Sequence, residues 1–336
     1  MKDACLISEK RAAVRHLLSA SAFLLILALL IAGASCVVRP KNNTAEAGMQ
    51  NLHASGILAE PDNTIDVVFL GNSLCNCGLM PMEIWKNYGI ACYNCGSAPQ
   101  RMYLAEELLH TAFRRQHPRM VVMEPLALFE DYGSLEVLPE KAQRYLPVLR
   151  YHNRWKSLRP EDWYAPVRYT GINPRKGYVE RRETVPADVD SIMPMIQRYS
   201  RIPRKNAKIL RRMRDFCREN GAELVFISTP SLCSWSQPRF DAVQAMADAL
   251  EIPYLNMEND IPGEAFIDWQ TDTYDGGDHM NLTGAIKVSD YLGSWLSDTG
   301  LFQDRRGDPA YADWNETLAQ FERSHPENAP EEDRTA

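Results

Sequence analysis

Basic charge is what this chain has least to spare: 37 Lys and Arg stand against 44 Asp and Glu, for a net charge of −7. That balance argues against a nucleic-acid surface, and no basic stripe with interleaved aromatics offsets it. The Arg-rich patches at Arg114-Arg115, Arg181-Arg182 and Arg201 to Arg214 each read as a solvated helix face or a local surface cluster. No internal repeat is visible. Histidine is scarce, with seven residues in 336, so the choice of a general base is short. Long apolar runs are scarcer still, since there is only one. What remains, 45% hydrophobic and 24% charged residues, is ordinary for a soluble globular protein.

The single apolar run, Leu17 to Val38, carries no charge. At helical rise it spans roughly 33 Å, enough for a hydrocarbon core. Its Leu, Ile, Phe and Val side chains favour insertion by roughly 4–7 kcal/mol in total. Lys10, Arg11 and Arg15 precede it, so residues 1–16 should stay cytoplasmic and the remainder should cross. The run reads as an uncleaved single-pass anchor, which places the chain at the cell membrane with its main domain extracytoplasmic. A cleaved signal peptide is the rival, because Ala32-Gly-Ala-Ser35 offers small residues. Lipidation at Cys36 is a third reading, with Gly33 where such sites usually have Leu. Residues 39–61, polar and bounded by Pro40 and Pro61, read as a juxtamembrane linker.

Six of the eight cysteines follow the apolar run, where disulfides are permitted. Cys75, Cys77, Cys92 and Cys95 have a superficial zinc-site spacing. Cys92 and Cys95, three apart in a strand-like run, point to opposite faces. The pattern therefore reads as one cross-link, Cys95 with Cys75 or Cys77, with no metal and no cofactor.

Ile65 to Leu70 is a buried-strand pattern that runs straight into Gly71-Asn72-Ser73. A helix-like segment follows, Met82 to Tyr88 continuing it as a short helix. Taken alone, Gly-x-Ser after a strand is more often a plain turn. It can also hold a hydroxyl at the C-terminal edge of a sheet, where helix N–H groups stabilise negative charge and open α/β sheets place their sites. Ile90 to Asn94 is a second strand, Arg101 to Gln116 an amphipathic helix, and Arg119 to Met123 a third strand. This is the rhythm of a parallel βαβ unit. The helix at Pro203 to Asn220, the strand at Glu223 to Ser228, the helix at Pro238 to Leu250 and the strand at Ile252 to Leu255 continue it. A last helix runs through Leu296, capped by Thr283. Residues 126–200 break the rhythm and read as an insertion or lid, with His152 and Asn153 in its densest polar-aromatic cluster. Residues 301–336 are acidic and nonperiodic, and read as a flexible tail.

Of the seven histidines, His152 and His279 remain once those next to the apolar run, on or just after a helix, or in polar linker and tail are set aside. His279 precedes the last helix, at the same sheet edge as Ser73. A serine nucleophile needs a base within reach and a third group to orient that base. His279 can be the base, with Asp275 or Asp278 as the orienter; local sequence does not separate the two.

Phe69-Leu-Gly-Asn-Ser73, Tyr93-Asn-Cys-Gly96 and Asp278-His-Met-Asn-Leu-Thr-Gly-Ala285 occur in the order seen in the SGNH/GDSL hydrolase superfamily. The chain resembles that superfamily, in particular its membrane-anchored bacterial branch, over residues 62–297. The resemblance implies a flavodoxin-like three-layer α/β/α sandwich with a parallel sheet of about five strands, in a domain spanning 62–300. It implies ester hydrolysis or acyl transfer through Ser73 and His279. It also implies an oxyanion hole from the N–H groups of Ser73 and Gly96, with Gln100 supplying an amide. Two departures stand out. Gly276 occupies the usual aspartate position, three before the His, and Glu124-Pro125 replaces the family's Gly-x-Asn-Asp block. Asn72, Glu124, His152 and Asn153 are the candidates for a substrate groove. The implied substrate is an acylated, commonly acetylated, cell-envelope polymer beside the membrane. The competing expectations are a noncatalytic envelope protein that keeps the fold and binds a glycan or assembly partner, and an acyl-handing protein resembling those that carry D-alanine to teichoic acids.

Overall fold

Val67, Phe69, Met120, Val122, Val225 and Ile227 are all buried and belong to one core, and their spacing is that of strands with one face each turned to it. The computed structural model describes residues 2–133, 142–143, 145–189, 192, 200–258 and 266–323. Contacts divide the chain into two compact units, Gln50–Asp131 with Thr170–Ala336, and Met1–Met49 with Tyr132–Tyr169.

The first unit holds five strands, β1 (Val67–Leu70), β2 (Cys92–Asn94), β3 (Met120–Met123), β4 (Glu223–Ser228) and β5 (Tyr254–Asn256). Every neighbouring pair is parallel, in the order β2-β1-β3-β4-β5. Val67 lies opposite both Cys92 and Met120, so β1 is the strand from which the chain first winds one way and then the other. That reversal leaves a crevice beyond the carboxyl ends of β1 and β3.

Numbering the longer helices in chain order, α1 is Lys2–Val38, α2 Ser73–Gly78, α3 Pro81–Tyr88 and α4 Met102–Ala112. They are followed by α5 (Arg204–Glu219), α6 (Gln237–Leu250), α7 (Leu282–Asp298) and α8 (Ala312–Arg323). The core places Ile84 of α3 and Ala285, Val288, Leu292 and Leu296 of α7 on one face of the sheet. Helices α4 and α5 pack on each other and over β1 and β4. The chain is thus an α/β protein with a five-stranded parallel sheet between helices.

Several boundaries differ from those the sequence implied. Helix α7 is capped by Asn281, whose Oδ1 accepts from Gly284 N at 3.2 Å, not by Thr283. Residues 50–61 are no loose linker, because Ala54, Ile57 and Leu58 are buried in the sheet unit at helical spacing. Residues 301–323, expected to be tail, fold: Trp314 of α8 is fully buried with its ring centroid 5.0 Å from that of Trp85. Residues 324–336 lie outside the described residues. The expected insertion is divided. Pro125–Phe129 forms a buried turn, residues 132–169 belong to the second unit, and residues 170–189 return to the sheet unit. The expected cross-link is not formed, for Cys75, Cys77 and Cys95 are free thiols. Each has its own acceptor: Asn94 Oδ1 for Cys75 (3.4 Å), Asn76 Oδ1 for Cys77 (3.0 Å) and Ala54 O for Cys95 (3.9 Å).

In the second unit, α1 contains the segment Arg11–Val38, long and apolar enough to cross a membrane. Leu17, Phe23, Leu24, Leu29 and Leu30 on it are exposed, unlike the side chains of a core helix. Length and composition alone fit a membrane anchor or a signal sequence equally.

Candidate active site

Gly71, directly after β1, has no room for a side chain: a Cβ there would stand 2.6 Å from both Cys75 Cβ and Glu124 Cβ. The chain can therefore turn tightly at the sheet edge and start α2 two residues later. Asn72 caps that helix, its Oδ1 accepting from Leu74 N at 2.9 Å. Ser73 becomes the first helical residue. Its N–H is one of the first-turn donors with no carbonyl inside the helix to pair with.

The partner groups arrive on a loop closed by a bridge between Thr273 and Met280. Gly276 (φ 80°) and Gly277 (φ 107°) adopt the left-handed backbone that this loop requires, and Gly277 N donates to Thr273 Oγ1 at 2.9 Å. Asn281 holds the loop's far end, its Nδ2 donating to Thr271 O at 2.7 Å. The turn brings Asp275 back beneath His279.

His279 Nε2 lies 2.7 Å from Ser73 Oγ, across 206 positions of sequence, and His279 Nδ1 lies 2.6 Å from Asp275 Oδ2. Asp275 Oδ1 also accepts from His279 N at 2.9 Å. Asp278 is the more distant carboxylate, 3.5 Å from Nδ1, and its Oδ1 accepts from Ser231 and Ser234 hydroxyls at 2.7 Å each. Asp275 is therefore the group that fixes the imidazole. His279 is 14% exposed and Asp275 31%, so the relay is partly shielded from solvent.

The oxyanion side differs from expectation. Gly96 N donates to Asn94 Oδ1 at 2.8 Å. The Gln100 amide nitrogen donates to Cys95 O at 3.0 Å, and its Oε1 accepts from Gly71 N at 2.7 Å. Gln100 is fully buried and braces the turn that carries the serine. Of the three expected donors, Ser73 N–H alone is not tied to a partner of its own. Asn94 is likewise structural, its Nδ2 donating to Cys75 O and Leu79 O at 2.9 and 2.7 Å.

Glu124, at the end of β3, is fully buried beside this turn, with Leu126 N donating to its carboxyl. Burial pushes it up to about 8. It packs under the site and lines no groove. His152 and Asn153 belong to the second unit, where His152 Nδ1 meets Leu149 O at 2.9 Å.

Four contributors carried no sequence signal of their own. Ser231 and Ser234 hold Asp278. Tyr274 stacks on the His279 ring at 5.6 Å between centroids. Arg181, expected only as part of a solvated cluster, stands 5.3 Å over the Tyr274 ring. Its carbonyl accepts from Leu282 N at 2.7 Å, tying it to the start of α7. A polar run directly after β4, Thr229-Pro-Ser-Leu-Cys-Ser234, was the available hint, since that is the sheet's functional edge.

Burial pushes the thiols of Cys75, Cys77 and Cys233 above their ordinary range. Near neutral pH they are poor nucleophiles. Asp275, Asp278 and His279 also place one ligand atom each within 4.8 Å of the others, a spacing a metal ion accepts. The imidazole is already engaged on both nitrogens, so a metal would have to displace the Ser73 or Asp275 contact.

Neither a protein-family model nor a curated protein matches the chain. Among solved structures it is similar to a GDSL-like lipase from Bacteroides thetaiotaomicron (13% identity, 69% of this chain and 88% of that one, TM-score 0.35). It is also similar to a lipase/acylhydrolase from Enterococcus faecalis (11%, 70% and 95%, 0.36). A third is a psychrotrophic esterase from Pseudoalteromonas (11%, 70% and 98%, 0.36).

Proposed function

We propose that the chain is a serine esterase or O-acyltransferase of the SGNH/GDSL kind, held at the extracytoplasmic face of a membrane by α1. The observation that carries this reading is the unbroken hydrogen-bonded series from Ser73 through His279 to Asp275. Ser73 Oγ attacks the ester carbonyl while His279 Nε2 takes its proton. The oxyanion forms against Ser73 N–H, and collapse expels the alcohol, which takes the proton back from His279. Water, or the hydroxyl of an acceptor, then attacks the acyl-serine by the same route. Asp275 keeps the imidazole in the right tautomer and stabilises its charged form. An acetyl ester on a cell-envelope glycan fits a site tethered beside the bilayer.

The oxyanion side favours a slow or selective enzyme. Losing one donor typically costs about 10²–10³ in rate, and here Gly96 N–H and the Gln100 amide are both committed elsewhere. The same observation favours a second reading, an envelope protein that keeps the fold and binds a glycan without turning it over. Hydrolysis of 4-nitrophenyl acetate by the whole chain, beside Ser73→Ala, separates them. An enzyme loses its turnover in the variant, whereas equal rates in both proteins reject the serine mechanism.

A further inference from the structure

Among the described residues, the second unit carries several large side chains that stand largely exposed. Tyr145 is 75% exposed, Trp155 65%, Trp163 69% and Tyr164 74%. Leu149 and Val167 are also exposed. All lie on the short turns at Pro147–Tyr151, His152–Lys156 and Glu161–Tyr164 and the chain beside them. Burying such rings in a protein core would be strongly favourable, so their exposure calls for a partner.

Their position names that partner. The turns pack along the C-terminal end of α1. Val148 N donates to Ser35 Oγ at 3.2 Å, Arg154 Nη1 to Val38 O at 2.6 Å and Arg168 N to Lys41 O at 2.8 Å. Arg154, itself buried, also pairs with Asp162 at 2.8 Å and so fixes two of the turns to the helix end. A cavity of about 440 Å³ lies between Ala28, Ile31, Ala32 and Ser35 of α1 and Tyr145 to Pro147. The exposed rings thus sit where the apolar run ends, the level at which a bilayer passes from hydrocarbon to headgroups. Trp and Tyr are enriched at that level because one end of each ring prefers hydrocarbon and the other water. Lys156, Arg159 and Arg168 lie among them, Lys156 Nζ standing 5.8 Å over the Trp155 ring. Basic groups among aromatic ones match anionic headgroups.

We propose that residues 145–168 form a second membrane contact, laying Tyr145, Leu149, Trp155, Trp163 and Tyr164 into the headgroup layer of the bilayer that α1 spans. It rests on the reading of α1 as an uncleaved anchor.

The test uses the whole chain reconstituted in vesicles of phosphatidylglycerol and phosphatidylcholine in equal parts. The phosphatidylcholine carries bromine either near the head or near the tail of its acyl chain. Head-proximal bromine should quench tryptophan fluorescence more than tail bromine, and Trp155→Phe with Trp163→Phe should remove most of that difference. Trp85, Trp235 and Trp314 are buried and supply an unquenched background. If the protein resists alkaline carbonate extraction but the double variant quenches like the parent, the anchor stands and the second contact is wrong. If carbonate releases the protein from the vesicles, the anchor reading fails and the second contact with it.

Discussion

Asp275 and Asp278 are the residues at which the sequence stopped short and the fold decides. Both flank the same glycines, and both reach toward His279 Nδ1, at 2.6 and 3.5 Å. The difference lies in what else holds them. Asp278 is engaged by two serine hydroxyls, whereas Asp275 accepts from the backbone of the histidine it orients. Asp275→Asn should therefore lower kcat on an acetyl ester by roughly 10³–10⁴-fold with little change in KM, by analogy with triad aspartates. Asp278→Asn should cost less than about tenfold, since it breaks only a neighbour's network. Equal losses in steady-state assays would mean that the two carboxylates act as a unit. Glu124 makes a separate prediction about stability. Burial raises its carboxyl from 4.5 to about 8, so between those values the folded chain holds a proton that the unfolded chain releases. Its contribution is full below the lower value and is lost as pH rises through the upper one. Glu124→Gln should flatten the fall in urea midpoint between about pH 5 and pH 8. A parent curve that rises with pH in that window would contradict it.

At the scale of elements, the five strands of a parallel sheet were largely legible, because apolar runs with β-branched residues such as Val67 to Leu70 suit a buried strand. The glycine-serine turn was legible as well. The donors were not. Gly96 and Gln100 sit at the expected positions, yet a neighbouring asparagine and a backbone carbonyl have taken their hydrogens. Spacing along a chain places a donor near a site but does not reveal what competes for it. Helix α8 was missed for a different reason, since its acidic, Pro-flanked sequence hides one tryptophan that matters. Trp314 packs on Trp85 and lies 4.3 Å under Lys176 Nζ, whose charge is paired with Glu60 at 2.9 Å. Trp314→Ala should destabilise the sheet unit by about 3–5 kcal/mol, read from thermal or urea unfolding. A change below about 1 kcal/mol would mean that α8 is an appendage.

At the scale of the whole molecule, one unit carries the sheet and the serine, and the other carries the membrane-type helix with its aromatic turns. The sequence presented residues 126–200 as one insertion because prolines and aromatics interrupt the strand-helix rhythm throughout it. The chain instead returns to α1 for residues 132–169, a long-range pairing that no local pattern encodes. A shortened chain starting at residue 50 still contains β1 to β5, Ser73, Asp275 and His279. It lacks α1 but keeps the aromatic turns, so if it folds it should leave most of its protein in the supernatant of vesicle sedimentation while the whole chain pellets. Equal pelleting of the two would place the attachment in the part they share, the aromatic turns included, and not in α1.

The central claim is that Ser73 is made nucleophilic by His279 and Asp275. Treatment of the whole chain with a fluorophosphonate, followed by intact-mass and peptide mapping, tests it most directly. The account predicts one phosphonyl group on Ser73, absent in Ser73→Ala and formed far more slowly in Asp275→Asn. An unmodified parent, or a label carried by another residue at the same rate in all three proteins, would contradict it.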